Sequence, residues 1–226
     1  MDFIFMLTRQ DQTVEDCLEV FEEIRPLGLG HVGFKDVGVD RATLKALNRA
    51  IRDSGAVSYM EVVSESPEAA LNSARTAAEI GVERLLGGTD VAGVMRLLNG
   101  KAGAGGLGYY PFPGKPVGHP TKLGGTPELV EAQCRRFLEL GCAGVDLLAY
   151  RATEADPLDL VRAARAGLDG RGRLICAGSV DSGQRIRALK EAGCDAFTIG
   201  SAAFDGSFSP RKGTLRGRLR DILAAC

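Results

Sequence analysis

The sequence has no tryptophan, only two histidines, and aromatic residues make up 6% of it. With His31 and His119 alone, a histidine-rich metal centre is excluded. Charge of one sign is also missing: 28 Lys and Arg stand against 29 Asp and Glu, a formal net charge of -1. A nucleic-acid or membrane-surface binder would need a basic excess to meet phosphates, so neither partner is expected. No run approaches the roughly 20 apolar residues of a membrane span. The opening Met1-Asp2-Phe3-Ile4-Phe5-Met6-Leu7 has no basic leader and too short an apolar stretch for a secretion signal. The expectation is a cytoplasmic protein. Cys17, Cys134, Cys142, Cys176, Cys194 and Cys226 form no C-x-x-C pair, so neither a zinc site nor a disulfide framework is indicated and free, mostly buried thiols are expected. What the chain has in excess is glycine, 30 of 226 residues, about twice the average share of roughly 7%.

Short apolar runs alternate with amphipathic stretches eight times. The runs are 3–8, 31–36, 57–63, 84–88, 107–112, 144–150, 174–178 and 196–200. Each is continuous rather than alternating, as suits a strand buried on both faces. Between them lie helix starts: Thr13 before Val14-Glu15-Asp16, Asp40, Ser66-Pro67-Glu68, Thr126-Pro127-Glu128, and Asp181 or Ser182. Such residues accept the unpaired N–H groups of a first helical turn, and proline fits where its missing donor costs nothing. Gly28, Gly55, Gly81, Gly141 and Gly193 follow helical stretches, as left-handed C-caps do. Strand–helix alternation with short loops implies βαβ units and parallel strands. Eight units within residues 1–226 predict an α/β fold, a single-domain (β/α)8 TIM barrel, over an open doubly wound sheet of five or six strands.

In such a barrel the chemistry sits at the C-terminal strand ends. Strands 7 and 8 run into Ala177-Gly178-Ser179-Val180 and Ile199-Gly200-Ser201-Ala202. Glycine admits close approach of the backbone and serine adds a donor, so Gly178, Ser179, Gly200 and Ser201 are the candidate phosphate-binding residues. The stretch from Ala177 through Arg185-Ile186 to Gly193-Cys194-Asp195-Ala196-Phe197-Thr198-Ile199-Gly200-Ser201-Ala202 resembles the closing half of ribulose-phosphate-binding barrels. That superfamily includes ribulose-phosphate epimerase, hexulose-phosphate synthase, thiamine phosphate synthase and N-acylmannosamine-phosphate epimerase. The resemblance implies a small phosphorylated metabolite held by the two Gly-Ser loops. Where hexulose-phosphate synthase carries D-x-K-x-x-D, this chain has Gly33-Phe34-Lys35-Asp36-Val37-Gly38. The opening 3–9 segment and Gly114-Lys115-Pro116-Val117-Gly118-His119-Pro120 also resemble short bacterial barrel proteins sometimes labelled 4-hydroxythreonine-phosphate dehydrogenase.

Other strand ends supply ionisable candidates. If Gly33 faces the interior, period two turns Lys35 inward and Asp36 toward the helices or the loop. Glu61 ends strand 3, and Asp146 lies in Gly144-Val145-Asp146-Leu147-Leu148, too apolar a setting for an unpaired charge. Lys35, Glu61 and Asp146 are the candidate catalytic cluster, with His119 on the long loop after strand 5 as a fourth acid/base. Arg9, Tyr150 and Arg151 are candidates for substrate oxygens. No organic cofactor is implied; a divalent metal between Glu61 and Asp146 competes with an ion-pair network. Gly103-Ala104-Gly105-Gly106-Leu107-Gly108 fits G-x-G-x-x-G but precedes a strand instead of following one, which excludes a dinucleotide site. Gly87-Gly88-Thr89-Asp90 can bind a second anion, and the basic C-terminus reads as a solvated helix face. The expected activity is proton abstraction beside a carbonyl, in an epimerase, isomerase or aldolase/lyase. The competing class is a non-catalytic phosphometabolite-binding barrel. A homo-oligomer is compatible with the sequence.

Overall fold

The computed structural model describes residues 1–62, 66–99, 106–118 and 120–226. Eight parallel strands occur in chain order: β1 (Asp2–Met6), β2 (His31–Lys35), β3 (Val57–Val62), β4 (Arg84–Gly87), β5 (Gly108–Tyr110), β6 (Gly144–Leu147), β7 (Arg173–Cys176) and β8 (Ala196–Ile199). They pair in the order β6-β7-β8-β1-β2-β3-β4-β5. Two backbone hydrogen bonds, Ala143 N–H to Tyr109 C=O and Asp146 N–H to Pro111 C=O, both 3.0 Å, bring β5 and β6 together and close the ring. Helices α1 (Cys17–Ile24), α2 (Arg41–Asp53), α3 (Pro67–Ile80), α4 (Val91–Asn99), α5 (Pro127–Glu139), α6 (Pro157–Leu168), α7 (Gly183–Glu191) and α8 (Leu215–Ala224) surround it. A four-residue helix, Ser201–Phe204, follows β8. The molecule is a (β/α)8 barrel.

Both faces of each strand are covered, which explains why the strands read as continuous apolar runs. The barrel interior is filled by Ile4, Met6, Tyr59, Leu86, Tyr110, Ile175 and Ala196. The outward residues, such as Phe3, Phe5, Phe34, Met60, Leu85 and Phe197, pack beneath the helices. Gly33 has no room for a side chain, since a Cβ there would meet Met6 Sδ and lie 3.1 Å from Tyr59 Cβ. That contact turns Gly33, and with it Lys35, into the barrel, while Asp36 faces outward and accepts from Ser73 Oγ on α3.

The caps at Asp40, Ser66, Thr126 and Ser182 each accept a first-turn N–H as expected. Thr13 does not open α1. Its hydroxyl donates to Lys35 C=O (2.7 Å) and accepts from Lys35 N–H (2.9 Å), which fixes Thr13 in a short antiparallel ribbon, Thr8–Arg9 with Gln12–Thr13. The helix starts at Cys17 instead. A second ribbon, Lys115–Val117 with Lys122–Gly124, forms a strap after β5. The C-terminal helix is only partly a solvated face, because Arg218 donates to Ala203 C=O (3.2 Å) and Phe204 C=O (2.6 Å), closing the end of the four-residue helix. All six cysteines are free thiols, five of them buried. Among the described residues, no helix is long and apolar enough to cross a membrane.

Candidate active site

At the C-terminal end of the barrel lies a cavity of about 280 Å³, lined by Lys35, Glu61, Asp11, Arg151 and the Gly178-Ser179 and Gly200-Ser201 loops, among other residues. Period two along β2 and β3 delivers Lys35 and Glu61 to it side by side, since they are register partners. Lys35 Nζ lies 3.2 Å from Glu61 Oε1 and 2.8 Å from Asp11 Oδ1. Burial works against the charge of Lys35, but Glu61 and Asp11 outweigh it and hold the ammonium above its ordinary pKa. Lys35 is therefore a fixed cation at neutral pH.

Asp146 on β6 is fully buried, and neither carboxyl oxygen has a hydrogen-bond partner among the described residues. Burial first, and the nearby Glu61 carboxylate second, push its pKa well above the carboxylate range, against the pull of Lys35 and Arg151. The shift favours the protonated form, which has one O–H to donate and a carbonyl oxygen that can still accept. Two carboxylates, Glu61 and Asp11, converge on the Lys35 ammonium, so the cation between them belongs to the chain. Among the described residues no group of three or more His, Cys, Asp or Glu is placed to hold a metal ion.

The two Gly-Ser loops need glycine for different reasons, a left-handed backbone in the first and close packing in the second. Gly178 and Ser179 have φ of +76° and +56° in succession, a region that glycine enters freely and other residues rarely. For serine this conformation costs on the order of 1 kcal/mol. At Gly200 a Cβ would lie 2.5 Å from Thr8 Oγ1 and 2.9 Å from Thr8 O, so the strand-1 ribbon presses directly on the strand-8 loop. No backbone acceptor among the described residues takes the N–H groups of Gly178, Ser179, Gly200 or Ser201. All four residues line the cavity.

The remaining candidates are distributed. Arg151 lines the cavity. Tyr150 lies outside the lining, with the Arg185 guanidinium 4.7 Å above its ring and its hydroxyl donating to Arg185 C=O (3.4 Å). Arg9 is exposed and stands 5.3 Å from the centroid of Phe204. His119 lies outside the described residues, as do Gly103-Ala104-Gly105 of the glycine run and Val63 at the end of strand 3. Gly87-Gly88 is packed against Phe112 and Tyr109, and Asp90 accepts from Gly93 N–H (3.0 Å) at the start of α4, so this turn lies away from the cavity. His31 sits at the opposite barrel mouth, 3.1 Å from Tyr59 Oη and 3.4 Å from Asp2.

Sequence reading missed Asp11. It sits at the tip of the Thr8–Thr13 ribbon, where Gln10 and Asp11 have φ of +50° and +60°, the two positive values a two-residue hairpin turn requires. Glycine or asparagine there would have announced the hairpin; Gln-Asp does not. Asp181, Thr198, Asp205 and Ser207 also line the cavity.

No family model matches the chain, and no curated protein does. Solved structures do. 3-Hexulose-6-phosphate synthase superposes with a TM-score of 0.67 at 16% identity, covering 100% of this chain and 99% of that one. Orotidine 5'-phosphate decarboxylase from Pyrococcus horikoshii OT3 has a TM-score of 0.65 at 14% identity, covering 99% and 98%. Thiamine phosphate pyrophosphorylase from Pyrococcus furiosus has 0.63 at 12% identity, covering 99% and 95%. At such identities the likeness is one of fold.

Proposed function

We propose that this barrel is an enzyme of the ribulose-phosphate-binding type. It would act on a phosphorylated sugar or sugar-acid-like metabolite by removing a proton beside its carbonyl, for epimerisation or isomerisation, or by taking the β-hydroxyl proton so that a carbon–carbon bond breaks and its electron pair becomes the same enolate. The observation that carries the reading is that Lys35 and Glu61 line the same cavity as Gly178, Ser179, Gly200 and Ser201. The fold likeness to structures named for phosphorylated compounds agrees with it. Phosphate is held by the loop N–H groups, which places the carbonyl carbon chain over the Lys35–Glu61 pair. The Glu61 carboxylate takes the proton from the carbon beside the carbonyl. The C–H electron pair forms the new carbon–carbon double bond, and the carbonyl π electrons move onto oxygen. The Lys35 ammonium stabilises that oxyanion as a cation, a role that suits its raised pKa better than Schiff-base formation, which needs the neutral amine. Return of the proton from Glu61 to carbon completes the turnover.

The test is to incubate the protein with phosphorylated aldoses, ketoses and aldonates in D2O and follow deuterium entry beside the carbonyl by NMR. Glu61→Gln and Lys35→Ala should each slow exchange by about 100-fold or more, the usual worth of a positioned acid or base. Wild-type exchange rates in both variants would overturn the mechanism. A chain that binds these ligands and exchanges no proton would be a phosphometabolite sensor.

A further inference from the structure

Arg151 touches three parts of the site at once. It ends the turn Ala149–Arg151 that follows β6, and its side chain lies on the α-carbon of Gly178: a Cβ added there would collide with Arg151 Nε and stand 2.8 Å from its Cδ. Nη1 donates to Thr121 C=O (3.3 Å), the residue leading into the second strand of the strap. Nη2 stands 3.8 Å from Asp11 Oδ1, the same oxygen that holds Lys35 Nζ at 2.8 Å. The strap is otherwise tied to the segment just after Arg151, through Thr153 N–H to Leu123 C=O (2.9 Å) and Gly125 N–H to Glu154 Oε2 (2.8 Å).

We infer that Arg151 is a positioning residue that couples occupancy of the Gly178-Ser179 loop to the strap and to the Asp11–Lys35 pair; this rests on the phosphate reading above. The physical reason is the fork of the guanidinium. Its five N–H donors lie in one plane, and the Nε–Nη2 edge matches two oxygens of a phosphate. With Nη1 given to Thr121, that edge faces Gly178 on one side and Asp11 on the other. An anion on the loop takes both donors, withdraws Arg151 from Asp11, and removes its competition with Lys35 for the shared oxygen. The guanidinium, now fixed from both edges, holds Thr121 and the start of the strap strand. Lysine cannot replace it, because a single ammonium cannot serve loop and strap together.

The experiment uses inorganic phosphate on the whole chain, with two readouts. Amide chemical shifts of Gly178 and Ser179 report binding, and hydrogen exchange at Lys122 and Gly124 reports the strap. In the wild type, saturating phosphate should shift the loop amides and slow strap exchange by about fivefold or more. Arg151→Gln should bind phosphate about tenfold more weakly and, when saturated, show no strap protection. Arg151→Lys, which keeps stem and charge, should restore part of the affinity and none of the protection. If Arg151→Gln does not fold, Arg151→Lys alone decides. Protection in either variant equal to wild type overturns the coupling and leaves the phosphate site standing. Absence of any shift at Gly178 and Ser179 in the wild type overturns both.

Discussion

Asp146 is a residue whose protonation the fold dictates. A carboxyl with no exposed surface and no hydrogen-bond partner among the described residues is pushed toward its neutral form by burial, reinforced by the charge of Glu61. The linkage has a definite sign. Below about pH 4, where an unfolded aspartate is itself protonated, Asp146 adds no pH-dependent cost. As pH rises the unfolded chain ionises while the folded one keeps its proton, so stability falls with pH. Asp146→Asn removes that dependence. It should raise Tm at pH 7.5 by at least about 2 °C, what roughly 1 kcal/mol is worth in a domain of this size, and the gain should shrink toward pH 4. A gain that is constant across pH, or a loss at pH 7.5, would mean that Asp146 is ionised in the folded state. Thermal unfolding of both proteins between pH 4 and 8 decides it.

Among the elements, the Thr8–Thr13 ribbon contributes more to the site than its size suggests. It delivers Asp11 to Lys35, presses Thr8 against Gly200 and anchors β2 through the Thr13 hydroxyl. Its turn is built from Gln10 and Asp11, both left-handed, without the asparagine or glycine that accepts this conformation readily. Gln10→Asn should therefore stabilise by about 0.5 kcal/mol and Gln10→Val should destabilise by about 1 kcal/mol. The Tm order Asn above wild type above Val, read by calorimetry, is the expected result; any other order removes the strain assigned to this turn. The ribbon also shows where local signals stop. The caps at Asp40, Ser66 and Thr126 were legible because a cap is a contract between residues three apart. Thr13 was misread as one because its hydroxyl bonds to Lys35, 22 positions away, which no local pattern encodes. Lys35 and Glu61 were legible as a pair because period two and parallel register place them together. Asp11 and the link from Arg151 to Thr121 depend on how loops meet in space.

At the scale of the molecule, the eight-fold strand–helix rhythm was readable because each βα unit repeats the same local signals, an apolar run, a capped amphipathic helix and a glycine stop, so the repeat shows in the sequence pattern. Closure of the ring is a different matter, since it joins strands 34 residues apart across the strap. β2 and β3 pair over five residues, His31–Lys35 with Val57–Glu61, whereas β5 and β6 meet through the bonds of Ala143 and Asp146 to Tyr109 and Pro111. Each bond contributes only about 1 kcal/mol net, and the seam also borders the buried Asp146, whose raised pKa costs stability as pH rises above about 4. The barrel should consequently open first at this seam, a local event below the free energy of global unfolding. Native-state hydrogen exchange at low denaturant tests it: the amides of Ala143 and Asp146 should exchange about tenfold or more faster than those of Val32 to Phe34, with a smaller denaturant dependence. Equal rates and equal dependence would mean that the barrel opens only as a whole. Because the strap begins just after β5 and is tied to residues 153 and 154 after β6, the same seam separates its two roots. A ligand that fixes Arg151 should slow exchange at Ala143 as well as in the strap, whereas Arg151→Gln should leave the seam as labile with phosphate as without it.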